Sequence, residues 1–214
     1  FGEALEGECR FKVPLKDGQK TGYFYDQSKN RDSFLKYVKG ARVLDVFSYL
    51  GAWGVRAAKA GAASVTCVDS SARAGEWIRD NAALNGVECE VLVKDAFDAL
   101  RDLENAGERF DVVVLDPPAF IKKRKDQKAG TTAYERINQM GLKLLKPGGI
   151  LVSCSCSFHF SQDELRKAVV KSLRRTDQRG QLLEVGGQGP DHPVHPAIPE
   201  TAYLKSLVLR VLPR

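Results

Sequence analysis

The chain has little of what a metal site, a disulfide scaffold or a membrane span requires. Its 214 residues include three histidines and five cysteines. The cysteines, Cys9, Cys67, Cys89, Cys154 and Cys156, are odd in number and form no CxxC pair. That usage argues against a zinc cluster and a disulfide framework, and points to a reducing, cytoplasmic compartment. Apolar runs are short, such as Val112 to Leu115, far below the ~20 residues of a membrane-spanning helix. No charged segment followed by an apolar stretch opens the chain, so no signal peptide is expected. There is one methionine, Met140, and the first residue is Phe1. A fragment or processed product is therefore expected, with a further N-terminal domain outside it. Internal repeats and low-complexity segments are absent too. Neither a membrane nor a metal is expected as a partner.

What remains is an ordinary globular composition, 43% hydrophobic and 28% charged. At roughly 150 residues per domain the length gives one full domain, large enough to bury its own core. Lysine and arginine exceed aspartate and glutamate by 33 to 27, a net charge of +6. A basic excess of this size is compatible with an anionic partner such as RNA.

The punctuation of the chain alternates strands and helices. Residues 11–15 and 21–25, around Asp17-Gly18, read as a hairpin, and residues 31–38 as a helix ending near Gly40. Strands follow at 42–47, 64–68, 89–93, 111–115 and 150–155, with late strands at 182–185 and 202–211. Helices fall between them: 51–60, from Ser71 to Leu84, 97–103, 132–145 closed by Pro147-Gly148-Gly149, and one to Arg174 opened by a Ser161/Glu164 capping box. Near-continuous apolar strands separated by helices predict a parallel sheet covered on both faces. The expected fold is α/β and doubly wound, mostly parallel with a late antiparallel strand. Residues 1–40 are expected to form a hairpin and helix leading into a main domain at 41–214. Such sheets bind ligands beyond the carboxyl ends of their strands.

The first strand runs into Asp45-Val46-Phe47-Ser48-Tyr49-Leu50-Gly51, where a glycine at a helix start lets the backbone approach a ligand. The second strand ends in Asp69, close to the spacing of roughly 20 residues at which a carboxylate meets ribose hydroxyls. The third leads into Asp95-Ala96, where a carboxylate can meet an adenine amino group. The first glycines of a Gly-x-Gly-x-x-Gly dinucleotide loop are missing, so a ligand without a pyrophosphate fits better. S-adenosylmethionine, a cationic sulfonium on adenosine, suits a ring of carboxylates.

The fourth strand ends in Asp116-Pro117-Pro118-Ala119-Phe120, where two prolines fix the backbone so that Asp116 can project into the cleft and Phe120 can stack on a base. The fifth runs into Ser153-Cys154-Ser155-Cys156-Ser157. Alternation puts Cys154 and Cys156 on one side, with Cys156 nearer the cleft. A thiolate adding to C6 of cytosine makes C5 nucleophilic enough to accept a methyl group, and this chemistry needs a cysteine beside the base. Lys122-Lys123-Arg124-Lys125 follow Phe120 and read as a grip on RNA phosphates. His192 and His195, among prolines in a late loop, read as structural.

These segments carry a resemblance. Lys20-Thr21-Gly22-Tyr23-Phe24-Tyr25-Asp26-Gln27 with Asn30-Arg31 resembles the opening signature of the cytosine-C5 methyltransferases of 23S rRNA. The similarity continues through Phe47-Ser48-Tyr49, Val68-Asp69, Asn85-Gly86, Asp116-Pro117-Pro118, Ser155-Cys156-Ser157, Asp191-His192-Pro193-Val194 and Tyr203-Leu204-Lys205. It spans almost the whole chain. It implies a Rossmann-like methyltransferase fold, S-adenosylmethionine as cofactor, and 23S rRNA or an assembling large subunit as partner, with a homodimer left open. Members usually carry an N-terminal PUA RNA-binding domain. By resemblance Cys156 is the nucleophile, Asp116 holds the base, and Asp69 binds the ribose. The expected cofactor set is Gln27, Arg31, Asp45, Phe47, Ser48, Gly51, Asp69, Ser70, Asp95, Ala96 and Asp116. Phe120 and Lys122 to Lys125 are the expected RNA contacts. Two positions depart from the pattern: Ala119 stands where members usually have lysine, and Cys154 is extra. Rival readings are a methyltransferase for guanine N7 or an exocyclic amine, a silent RNA-binding module, and, less favoured by the glycines, a nicotinamide oxidoreductase.

Overall fold

The run Val112–Leu115 has almost no exposed surface, and its side chains alternate between two hydrophobic cores. Val113 and Leu115 join one core; Val112 and Val114 join the other. A strand buried on both faces belongs in the middle of a covered sheet. The computed structural model, which describes residues 1–16 and 22–213, places it there.

In chain order the strands are β1 (Gly2–Glu6), β2 (Cys9–Val13), β3 (Arg42–Val46), β4 (Ser64–Asp69), β5 (Glu90–Val93), β6 (Phe110–Leu115), β7 (Leu145–Ser155), β8 (Gln178–Gly186) and β9 (Lys205–Pro213). The helices are α1 (Ser28–Phe34), α2 (Ala52–Lys59), α3 (Ala72–Leu84), α4 (Ala96–Asn105), α5 (Gln127–Lys143) and α6 (Gln162–Arg175). Seven strands form one sheet in the order β5-β4-β3-β6-β7-β9-β8. β9 runs antiparallel to both its neighbours, and the pairs from β5 to β7 are parallel. Strand order reverses between β3 and β6, which opens a crevice there. The expected α/β doubly wound fold is the observed one.

Local signals explain most boundaries. Ser71 Oγ accepts from Ala74 N at the start of α3, and Ser161 and Glu164 make the reciprocal capping box of α6. Three expectations need correction. The hairpin pairs β1 with β2, not 11–15 with 21–25. Its two-residue turn uses Gly7 at φ +59°, which only glycine adopts cheaply. Tyr23 instead leaves the sheet and packs its ring on Phe11, 5.3 Å between centroids. The Asp17-Gly18 turn, with Lys20 and Thr21, lies outside the described residues. The helix expected at 132–145 starts at Gln127, because Gly130 lets it lie directly on Phe120 and Ile121, where a Cβ would clash. Pro147-Gly148-Gly149 does not separate α5 from the next strand. It is absorbed into β7 as an irregularity in the pairing with β6.

The β1–β2 hairpin is pinned to the main sheet's helices by nonlocal polar contacts. Asn85, at the C-terminal cap of α3, and Asn81 within it accept from the main-chain N–H of Arg10 (2.9 Å) and Lys12 (2.7 Å) respectively. Glu6, buried, receives Arg31 (2.7 and 2.5 Å), Arg56 and Tyr23 (2.9 Å). Two guanidiniums around one carboxylate hold that carboxyl below its usual range despite burial. Among the described residues no helix is long and apolar enough to cross a membrane.

Candidate active site

A cavity of about 320 Å³ opens at the carboxyl ends of β3, β4, β6 and β7. It sits where the strand order reverses, as expected for this topology. Two kinds of construction meet in it.

The β3–β4 wall is shaped by the backbone. Phe47 and Tyr49 have positive φ (68° and 52°), and Gly51 follows at 78°. Three left-handed residues within five make a tight loop, and two of them bear the Cβ penalty of that region. Ser48 ties the loop down: its hydroxyl donates to Asp45 O (2.7 Å) and accepts from Val68 N (3.1 Å), linking the ends of β3 and β4. Asp69, at the end of β4, accepts from Tyr49 N (2.9 Å) and Ser71 N (3.0 Å), one bond on each oxygen. Its carboxylate is therefore fixed in place while still bordering the cavity.

The β6–β7 wall is held by side chains. Asp116 accepts from Gln27 Nε2 (2.8 Å) on one oxygen and from Trp53 Nε1 (3.0 Å) on the other. Gln27 is in turn fixed by Asn30 at 2.6 Å. Burial raises the Asp116 carboxyl above its ordinary value; the Trp53 bond, the nearby Arg31 charge and the Gln27 bond oppose this. Cys156 borders the same cavity, its sulfur 3.9 Å from Pro117 O. Cys154, two residues earlier, is buried, and its sulfur sits 3.5 Å from Ser206 Oγ. Burial drives the Cys154 thiol well above the ordinary range, so it stays protonated and inert. Below Cys156, Tyr134, Ser155 and Ser157 form a closed hydroxyl cluster with links of 2.8 and 2.9 Å.

The cavity brings together Gln27, Arg31, Phe47, Ser48, Asp69, Ser70, Asp116 and Cys156 of the expected set. Residues of the expected N-terminal unit thus share one site with the main sheet. Arg31, though, is 2% exposed and committed to Glu6 and the Phe24 carbonyl. The cavity lining does not include Asp45, Gly51, Asp95 or Ala96. Asp45 has no exposed surface; it receives Gly54 N (3.0 Å) at the first turn of α2. Asp95 is exposed at the mouth of β5, its side chain capping α4 through Phe97 N and Asp98 N. Phe120 is half-buried among Phe47, Phe97 and Tyr134. Lys122, Lys123, Arg124 and Lys125 are all exposed on the segment leading into α5.

Other lining residues had no expected role: Tyr23, Phe24, Asp26, Tyr49, Trp53 and Leu204. Four of these are aromatic, so the cavity has flat apolar walls with carboxylates at defined points. That combination suits a nucleoside carrying a cation. Among the described residues no cluster of potential metal ligands occurs.

Comparison with known proteins gives the same reading. The profile of the S-adenosylmethionine-dependent methyltransferases matches residues 2–210. "Ribosomal RNA large subunit methyltransferase I" of Aeromonas salmonicida (strain A449) is 39% identical over 208 residues, which are 96% of this chain and 52% of that protein. A "Ribosomal RNA large subunit methyltransferase" of Deinococcus radiodurans is 37% identical, over 96% of this chain and 51% of its own length. The chain thus spans about half the length of these curated relatives. A solved chain from Streptococcus mutans superposes with a TM-score of 0.86 at 24% identity, covering 98% of this chain and 55% of that one. The structure of SMU.776, complexed with SAH, superposes equally well over the same shares at the same identity. With the profile matched over nearly its full length, the chain belongs to the S-adenosylmethionine-dependent methyltransferase family.

Proposed function

We propose that this domain methylates cytosine at C5 in large-subunit rRNA, through a covalent adduct on Cys156. The observation that carries the reading is one cavity whose lining includes both the thiol of Cys156 and the carboxylate of Asp116, beyond the ends of the central strands. An amine or guanine N7 already has a lone pair for the methyl group and needs no thiol. A cytosine C5 does not, and needs one.

In this reading S-adenosylmethionine, bound along the β3–β4 wall, supplies an electrophilic methyl group. Asp69 would hold the ribose hydroxyls, and the aromatic side chains of the lining would pack on the planar ring. Cys156 Sγ adds to C6, forming an S–C6 bond and shifting the C5–C6 electron pair onto C5. Carbon 5 then bonds the methyl carbon, and the bonding pair of the donor's S–CH3 bond stays on the donor sulfur. Loss of the C5 proton to a base reforms the double bond and returns the S–C6 pair to Cys156 as thiolate. Asp116, raised in pKa by burial, would hydrogen-bond the cytosine ring and share its proton movements. Lys122 to Lys125 would draw the RNA backbone to the mouth. The names of the ribosomal relatives support rRNA as the substrate class.

Trapping with rRNA carrying 5-fluorocytosine, in the presence of S-adenosylmethionine, tests this directly. Fluorine cannot leave C5 as a proton would, so the adduct accumulates. A protein–RNA band that disappears in Cys156→Ser and persists in Cys154→Ser is expected. Continued methylation by Cys156→Ala, without any trapped band, would move the assignment to an amine or N7 target.

A further inference from the structure

Lys205 begins β9 opposite Ser155 of β7, and it is 5% exposed. Its ammonium donates to the main-chain carbonyls of Ser157 (2.6 Å) and Tyr203 (2.8 Å). The first of these belongs to the residue immediately after Cys156. Two of its three N–H groups thus go to neutral acceptors. Among the described residues no carboxylate lies within ion-pair distance of it. Glu164, the carboxylate whose charge reaches it, is engaged by the α6 cap and Gln127. A buried ammonium without an opposite charge is costly, and proteins retain one only when something compensates it.

We propose that Lys205 is the counter-ion of a Cys156 thiolate. The proposal deepens the cysteine-adduct reading and rests on it for its purpose. The Cys156 proton leaves to solvent, and the resulting pair of opposite charges replaces a buried charge and a neutral thiol. The nucleophile is then ionised before the base arrives, and the same pair is restored when the S–C6 bond breaks. Lys205 acts through the sulfur's charge and is a positioning residue.

The other groups around Cys156 fit this assignment. From α5, Tyr134 is held in the serine hydroxyl cluster, and burial raises its pKa. Ahead of β9, Tyr203 is likewise raised, by burial and its bond to Asp26. Both stay neutral at ordinary pH. From just beyond β6, Asp116 adds negative charge that disfavours a thiolate, and from α6, Glu164 acts on Lys205 itself. Within β7, Cys154 stays a thiol. Arg31, which lines the same cavity and whose charge reaches Asp116, is committed to Glu6 and the Phe24 carbonyl, which leaves Lys205 as the cation to offset a thiolate. Burial lowers its own pKa to about 8, and the neighbouring Cys156 opposes that fall. The pair should weaken above about pH 8, as the ammonium loses its proton.

The test is peptide-resolved alkylation of Cys156 by iodoacetamide across pH, on the folded chain without RNA. Wild-type Cys156 should titrate at least about one unit below the ordinary thiol value of ~8.5. Lys205→Met should raise that midpoint toward 8.5 and cut the alkylation rate at neutral pH about tenfold, whereas Lys205→Arg should retain most of the depression. Should Lys205→Met fail to fold, the wild-type midpoint decides alone. A midpoint at or above 8.5 in the wild type, or an unchanged midpoint in a folded Lys205→Met, overturns the proposal. The two readings fail separately. A depressed midpoint that depends on Lys205, with rRNA methylation surviving Cys156→Ala, would uphold the ion pair and remove cytosine C5 as the target. A trapped 5-fluorocytosine adduct with an undepressed thiol would do the reverse.

Discussion

The two walls of the cavity hold their carboxylates by different means. Asp69 on the β3–β4 wall is fixed by two main-chain N–H groups, in a loop whose backbone takes up strained φ values. Asp116 on the β6–β7 wall is fixed by two side chains, Gln27 and Trp53, that arrive from different parts of the chain. A backbone cradle has a nearly invariant shape and charge, which suits a cofactor that is the same in every turnover. A side-chain cradle can be tuned in pKa and position, which suits the reacting base. Carboxylates at the ends of neighbouring strands should therefore fail in different ways when removed.

The largest effect is expected at Asp116. Asp116→Ala should lower kcat for methyl transfer by about 10²-fold or more, the range of a missing proton-sharing group, and leave S-adenosylmethionine affinity within a few fold. Measuring kcat beside equilibrium binding of the cofactor separates the two. Equal loss in both would erase the division between the walls. Next in size is the basic run outside both walls. Replacing Lys122, Lys123, Arg124 and Lys125 by alanine should weaken RNA binding about tenfold or more at low salt. The plot of log affinity against log salt should flatten by roughly 0.7 to 0.9 for each phosphate no longer neutralised. Single-turnover chemistry at saturating RNA should be unchanged. At the β3–β4 wall, Asp69→Ala should weaken S-adenosylmethionine binding about tenfold, the scale of one charge-assisted hydrogen bond, with little change in kcat at saturating cofactor. Calorimetric titration of the cofactor measures it.

Much of this architecture was legible in the sequence because it is written locally. The Ser71 cap, the Ser161/Glu164 box and the apolar run of β6 each need only neighbouring residues. So does the placement of Asp69 and Asp116 just beyond strands in a topology that binds ligands there. The hairpin was misplaced because Asp17-Gly18 carries a stronger turn signal than Gly7-Glu8. The deciding interaction, Glu6 against Arg31 and Arg56, joins residues 25 and 50 positions apart. Arg31 was legible as a signature residue but not as the partner of Glu6. Trp53 falls inside a helix, and nothing in its neighbourhood announces a hydrogen bond from its indole to Asp116, 63 residues away. Lys205 shares that opacity: a lysine at the start of a late strand reads as a surface charge until β9 is inserted between β7 and β8. Asp95 shows the converse. A carboxylate after a strand matched the pattern, but its side chain caps α4 at the exposed edge.

The smallest effect separates the cavity from the scaffold behind it. Asp45 lies on β3, the strand behind the β3–β4 wall, yet has no exposed surface, and burial pushes its pKa from 3.8 up to about 7. The folded state thus holds a proton that the unfolded chain gives up near pH 4. Between about pH 4 and pH 7 the folded protein binds more protons, so the Asp45 contribution to stability falls as pH rises through that window and levels off above it. Asp116 is raised as well and contributes in the same direction, so a variant at Asp45 is needed to isolate its share. Asp45→Asn keeps an acceptor for the Gly54 N–H and removes the titration. Its melting temperature relative to wild type should therefore rise between pH 5 and pH 8, while cofactor affinity at pH 8 changes by no more than a few fold. A constant difference across pH would mean that Asp45 is ionised in the folded state, supporting the α2 N-terminus as a charge. A large loss of cofactor binding would make it part of the wall.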